Sequence, residues 1–199
     1  VSERGDELEH HVSYYDHATG TVPRPVRILR KRTENAHDNP VLSIDAEGHL
    51  FVFSAAHGTS RPSYVHRSAR PHDITEWELL EKTNFSYPQP WHLPRSKRFL
   101  FLHTSYVKGE RTLNWKTSAD GRTWSAPQLL AHLEMGNYQV SFRDGDTDRV
   151  ATAFDLHPAE GRAGKGLNYR TNLYFAETRD AGVSWTNAAG EKLVLPLRA

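Results

Sequence analysis

Histidine, tyrosine and arginine recur in this sequence, and side chains of these three types can between them move a proton beside an anion. His37 and His57 lie twenty residues apart, Tyr106 and Arg111 five apart, and Tyr138, His157, Tyr169 and Arg170 follow. An imidazole exchanges a proton near neutral pH, a phenol gives or takes one, and a guanidinium holds a carboxylate through paired N–H bonds. Twelve histidines and eight tyrosines among 199 residues supply such a set, although the same rings also suit sugar stacking and ordinary all-β packing. No cysteine is present, which excludes disulfides, thiolate nucleophiles and zinc–thiolate sites.

Other chemistries find less support. There is no G-x-S-x-G, and Ser54, Ser105 and Ser141 lack a nucleophile elbow. A glycosidase needs two facing carboxylates, for which Asp38 and Asp155 are the only obvious candidates. The run Gly161 to Gly166 (GRAGKG) lacks phosphate-loop spacing and reads as a mobile loop. His10, His11 and His17 could bind a metal adventitiously, but no H-E-x-x-H accompanies them; no metal site or cofactor is expected, and a structural divalent cation stays open. Lys and Arg total 25 against 24 Asp and Glu, so the charge balance points to neither nucleic acid nor an anionic membrane. The basic run Arg24 to Arg32 reads as a solvated strand edge. No apolar run approaches the roughly 18 residues of a membrane span, and the opening VSERGDELEHH is not a signal peptide.

The elements that must position these groups repeat. DNPVLSID, HLFVFSAAHG and PSYVHRSARPHDITEW form one phrase; SYPQPWHLP, RFLFLHTSY and RTLNWKTSADGRTWS a second; NYQVSFRDG, DRVATAFDLHP and RTNLYFAETRDAGVSW a third. Each holds three β-branched or aromatic stretches separated by Gly, Pro, Asp or Asn, followed by an apolar piece, ELLE, PQLLA or KLVLPL, that supplies a fourth strand. Pro40, Pro88 and Gln139 occupy equivalent places 48 and 51 residues apart, a propeller-blade period. No stretch sustains a helical apolar period. The expected fold is all-β: a β-propeller of four-stranded antiparallel blades at about 1–34 (partial), 35–84, 85–133 and 134–199, a single partial domain. Three and a half blades fall short of the roughly four to eight that close a ring. The expectation is therefore a fragment of a larger propeller, its open sheet edges covered by missing blades or by another copy.

Two turns resemble the Asp box of sialidase-type propellers. Thr178, Asp180, Gly182, Ser184 and Trp185 fit it in full, and Ser118, Asp120, Gly121, Thr123 and Trp124 fit a version one residue shorter; Ser68 to Trp77 is a degenerate copy. The box is structural: Asp accepts turn hydrogen bonds, Gly turns the chain and Trp covers the hairpin. Trp91, Trp115, Trp124 and Trp185 accordingly read as packing groups. Over about residues 10 to 197, HDNPVLSIDAEGHLFVF, SYPQPWHL and RTNLYFAETRDAGVSWTNAAGEKLVLPL resemble the BNR-repeat family that contains ulvan lyases and related glucuronate-directed polysaccharide lyases.

In an antiparallel blade the start of strand one, the end of strand two and the start of strand three share a face opposite the Asp boxes. This places His37, Asp38, Asn39, His57, Tyr87, Gln89, His103, Tyr106, Arg111, Asn137, Tyr138, Gln139, His157, Tyr169, Arg170 and Asn172 on one rim. The resemblance implies a lyase that eliminates across a uronic acid, with a polysaccharide or oligosaccharide as partner and a secreted or periplasmic location. His37 and His57 then match its histidine pair, as base or carboxylate-neutralising partners. Tyr106 is the proton donor or acceptor, and Arg111 or Arg170 the carboxylate clamp. Asn39, Tyr87, Gln89, His103, Tyr138, His157, Tyr169, Arg170 and Asn172 bind substrate. At HTSYVKGERT the sequence leaves open whether Tyr106 or His103 faces the axis. Rival readings are a non-catalytic glycan-binding or scaffold propeller and a sialidase-type exo-glycosidase, for which Arg111 and Arg170 could be two of the required arginines.

Overall fold

The computed structural model describes residues 2–4, 7–159 and 169–198. Its regular structure there is fifteen strands in four sheets, and no helix is long and apolar enough to cross a membrane. The chain divides into two compact units, residues 1–86 and 87–199. The run GRAGKG lies outside the described residues.

In the first unit β1 (Ser2–Arg4), β2 (Glu7–Val12) and β3 (Val26–Arg32) form an antiparallel sheet, and β4 (Pro40–Ile44), β5 (Leu50–Ser54), β6 (Ser63–Ser68) and β7 (Trp77–Thr83) a four-stranded meander. The apolar run of β5 is the reason it lies inside, with Phe51, Val52 and Phe53 all buried. The basic run on β3 is only partly solvated. Arg27 pairs with Glu9 at 2.9 Å and Arg30 with Glu7 across the β2–β3 ladder, whereas Lys31 turns inward to the buried Asp38 at 3.0 Å.

The second unit holds the remainder. The long β8 (Ser86–Leu93) enters it at Tyr87, and β9 (Arg98–Val107), β10 (Glu110–Ser118) and β11 (Gln128–His132) follow in the same sheet. A further sheet comprises β12 (Gln139–Arg143), β13 (Val150–Leu156) and β14 (Thr171–Thr178). Here the expected fourth strand is corrected. KLVLPL does not join the ladder of β14; Lys192 makes only an isolated bridge to Thr186, and β15 (Leu197–Arg198) pairs parallel with β11. Pro196 has no N–H to give a ladder. The alternation of Leu193, Leu195 and Leu197 instead serves packing against the core of Leu100, Leu102, Leu113, Trp115, Leu130, Phe154 and Trp185.

The turns with box-like sequences are held as their composition requires. Ser118 Oγ accepts the Gly121 N–H at 2.8 Å, and Asp120 Oδ1 accepts the N–H groups of Arg122 and Thr123 at 2.8 Å each. Thr178 and Asp180 repeat this toward Gly182 and Ser184 at 2.9 Å each. Trp124 donates its indole N–H to the Gly121 carbonyl at 3.1 Å, and Trp77 in the degenerate copy donates to Ile74 at 2.8 Å. Both bonds reach three residues back, so the tryptophan contact persists where the Asp-Gly pattern has lapsed. Trp185 is buried edge-to-face on Trp115 at 5.5 Å, a contact worth about 1 kcal/mol beyond its area.

Candidate active site

In the second unit a two-residue turn creates the first cluster. Lys108 and Gly109 both take positive φ (52° and 85°), as the tight hairpin between β9 and β10 requires. That turn sets the register in which Arg111 stands opposite Tyr106. The Arg111 guanidinium carbon lies 6.0 Å from the Tyr106 ring centre and 4.7 Å from that of Tyr138, and Arg170 lies 4.8 Å from Tyr138. Tyr87 meets Tyr138 edge-on at 5.4 Å. Asp155 holds the far side: it accepts the Tyr138 N–H at 2.7 Å and lies 3.7 Å from Arg170 Nε.

The cluster is knitted from behind. Gly136, at φ 120°, passes so close to β10 that a Cβ there would lie 2.4 Å from Arg111 Cβ. The loop around it accepts the Arg111 N–H through Met135 at 3.3 Å and the His157 N–H through Gly136 at 2.9 Å. Arg111 Nη1 donates to His157 Nδ1 at 3.3 Å, which makes that nitrogen the acceptor of a neutral ring. Burial alone would weaken the Arg111 charge; its interaction with Tyr106 and the nearby phenols of Tyr138 and Tyr87 outweighs burial and holds its pKa above the ordinary value. Burial, then Tyr138 and Tyr106, push the Tyr87 phenol well up, so it can donate a hydrogen bond but is a poor base.

In the first unit the turn Asn35 to Asp38 creates a second cluster. Asn35 Oδ1 accepts the His37 backbone N–H at 3.0 Å and its carbonyl accepts the Asp38 N–H at 3.0 Å, an Asx turn inside a β-turn. Asp38 then accepts the His57 N–H at 2.8 Å. One short turn thus anchors the backbone of both histidines, whose rings stack at 4.6 Å and 22°. Asp38 is fully buried. Burial would raise its pKa, but hydrogen bonds from Arg61 (3.0 and 3.1 Å), His57 and Lys31 hold the carboxyl down at about 2.

Several expected rim residues are buried, and others are bonded within their own strands and loops. His103 is 3 % exposed, over Phe101 and beside Lys116; burial first and the Lys116 charge second depress its pKa to about 3. Its neighbour Tyr106 is the one that meets Arg111. His157 is 1 % exposed, behind Arg111 rather than on a rim. Asn137 is wholly buried, and Gln139 is buried with Oε1 accepting the Thr152 hydroxyl at 3.3 Å. Gln89 donates to the Gln139 carbonyl at 3.0 Å and accepts the Ser141 hydroxyl, while Trp91 donates to Ser141 at 2.8 Å, so both tie β8 to β12. Asn172 is exposed and bonds Tyr174 on its own strand at 2.9 Å. Asn39 is exposed, its carbonyl accepting the Ala55 N–H at 3.3 Å. Tyr169 is half-buried, its carbonyl accepting Arg170 Nη1 at 2.9 Å.

The adventitious-metal trio is scattered in its bonding: His10 is buried on Ser54 at 2.8 Å, His11 faces Glu9 at 3.5 Å and His17 packs on Tyr15. Among the described residues, metal-ligating side chains converge in a threesome at Asp45, Glu47 and His49, on the turn between β4 and β5. Sequence reasoning passed over Asn35, Lys31 and Arg61. The signal for Asn35 was its place two residues before His37.

A family model for BNR repeat-containing members matches residues 9–199. The chain is 28% identical over 236 aligned residues to Ulvan Lyase-PL25 of Pseudoalteromonas sp. (strain PLSV), covering 99% of this chain and 47% of that protein. It is also 28% identical to an ulvan lyase of Alteromonas sp. (strain LOR), covering 99% and 48%. The chain thus spans about half the length of the curated relatives it matches. Among solved structures, a PL25 ulvan lyase superposes with a TM-score of 0.76 at 21% identity, over 98% of this chain and 54% of that one. The same kind of enzyme bound to -[GlcA(1-4)Rha3S]- also gives 0.76, at 20% identity and the same coverage. With the match running through both units and nearly all of the sequence, the chain belongs to the BNR repeat-containing family.

Proposed function

We propose that this chain is part of a polysaccharide lyase that cleaves uronic-acid-containing glycans by β-elimination, and that its sheets are blades of a sialidase-like β-propeller whose Asp-box turns are structural. The observation that carries the reading is the Arg111–Tyr106 pair against Tyr138 and Arg170, in a chain similar over 99% of its length to ulvan lyases. Elimination needs three things: removal of the C5 proton, neutralisation of the adjacent carboxylate so that the enolate-like state is reachable, and protonation of the leaving O4. Arg111 takes the carboxylate, with Arg170 as the second cation of its cluster. Tyr106 carries a proton, and His37 and His57 act as base or carboxylate partner. Tyr138, Tyr169 and Tyr87 contribute ring and hydroxyl contacts to sugar. Further blades or a second copy cover the sheet edges, and the setting is extracellular or periplasmic.

The glycosidase alternative draws little from the geometry, because Asp38 is locked by Lys31 and Arg61, and Asp155 is engaged by Tyr138 and Arg170. The test is incubation with ulvan or other uronate polymers while following the absorbance of the unsaturated uronate. Growth of that band, lost in Arg111→Ala and His37→Ala, is the expected result. Binding without product would favour the scaffold reading, and release of a terminal sugar without the band would favour an exo-glycosidase.

A further inference from the structure

His37 and His57 share one amide. Asn35 Oδ1 must be the oxygen of that amide, because it accepts the backbone N–H of His37 at 3.0 Å, and an N–H cannot donate to an NH₂ group. With the amide so fixed, its two ends impose opposite demands. His37 Nδ1 lies 2.8 Å from Oδ1, an acceptor, so His37 Nδ1 must carry a hydrogen. His57 Nδ1 lies 3.3 Å from Nδ2, a donor, so His57 Nδ1 must present a lone pair. In their neutral forms His37 is then the Nδ1–H tautomer, with its basic lone pair on Nε2, and His57 is the Nε2–H tautomer.

We propose that Asn35 is a positioning residue that sets opposite tautomers in the stacked pair, making His37 the base and His57 the hydrogen-bond donor to the uronate carboxylate. This rests on the lyase reading above and divides a role it leaves joint. In the elimination, the C5–H bond breaks and its proton passes to His37 Nε2, leaving an imidazolium. The C5 electron pair forms the C4=C5 double bond as the C4–O4 bond breaks, and O4 leaves with a proton from the lyase's general acid. His57 keeps its proton throughout, its Nε2–H bonded to the carboxylate whose charge grows as C5 loses hydrogen. The turn has little freedom to do otherwise, since Asp38, itself held by Lys31 and Arg61, fixes the His57 backbone.

The test reads tautomers directly. Two-bond ¹⁵N–¹H correlation spectra of the ¹⁵N-histidine-labelled chain, with His37→Gln and His57→Gln to assign signals, should show the hydrogen of His37 on Nδ1 and that of His57 on Nε2. In Asn35→Asp, which offers two acceptors, the His57 hydrogen should move to Nδ1. On a uronate polymer the same variant should lose about 100-fold in kcat with KM within about threefold, at an unchanged melting temperature. Identical tautomers in the wild-type pair, or an Asn35→Asp spectrum without a switch, would overturn the assignment even if product forms. Opposite tautomers in a chain that forms no unsaturated product would uphold the assignment of hydrogens and sink the lyase reading.

Discussion

Arg111 stands directly across the β9–β10 ladder from Tyr106, with its guanidinium 6.0 Å from that ring and 4.7 Å from the ring of Tyr138. Cross-strand opposition is a rigid relationship, because the hairpin turn fixes it and no loop intervenes. The planar fork also cannot be copied by an ammonium, which offers a compact point charge and no stacking face.

Arg111→Lys should therefore lower kcat/KM on a uronate polymer by about 100-fold while the melting temperature stays within a few degrees. Steady-state absorbance kinetics beside a thermal melt check this. Retention of more than half the wild-type kcat/KM would remove Arg111 from the clamp role.

Gly136→Ala should disturb the same arginine while leaving its own side chain unchanged. Its φ of 120° is strained for any side chain, and the new Cβ would press on Arg111. A loss of about 1–3 kcal/mol in urea unfolding is expected, together with reduced turnover.

Asp38→Asn should cost about 3–5 kcal/mol at pH 7, because Lys31 is then left buried without its counter-charge. The carboxyl titrates near 3.8 when unfolded and at about 2 when folded. A depressed folded pKa means that its contribution is full above pH 4 and lost as pH falls toward 2. Denaturation at pH 7 and at pH 2.5 should show the gap between wild type and variant narrowing at the lower value.

His10 gives a second, milder pH window. Burial first, and the Lys31 charge second, depress its pKa to about 4 from 6.5. Stability tied to its neutral form is complete above pH 6.5 and drains between there and pH 4. His10→Gln, which keeps a polar group near Ser54, should flatten the stability profile over that interval.

Much of this architecture was legible because strands announce themselves by alternation and turns by Pro, Gly, Asp and Asn. The faces were harder. β9 is buried on both sides from Phe99 to Thr104, so alternation could not say which way His103 points, and it points into packing. Lys31 looked solvated because its neighbours Arg27 and Arg30 are, yet it alone turns inward onto a carboxylate. Asn35 was passed over because an Asn in a turn is usually just a turn residue; only the positions of both imidazoles give it more to do. The pairing of β15 with β11 has no local signature, since parallel partners can be far apart along the chain.

That pairing makes residues 197 and 198 a clasp. Leu197 and Arg198 lie against Ala131 and His132, and Arg198 reaches His132 Nδ1 at 3.0 Å while His132 Nε2 bonds Glu110 at 2.6 Å. Segments more than sixty positions apart thus open on one clock: when the clasp lets go, the outer amides of β11 meet water and the leucines behind it lose their anchorage. Hydrogen exchange along the outer edge of β11 is expected to quicken when Arg198 is replaced by alanine, a coupling that proximity in sequence does not supply.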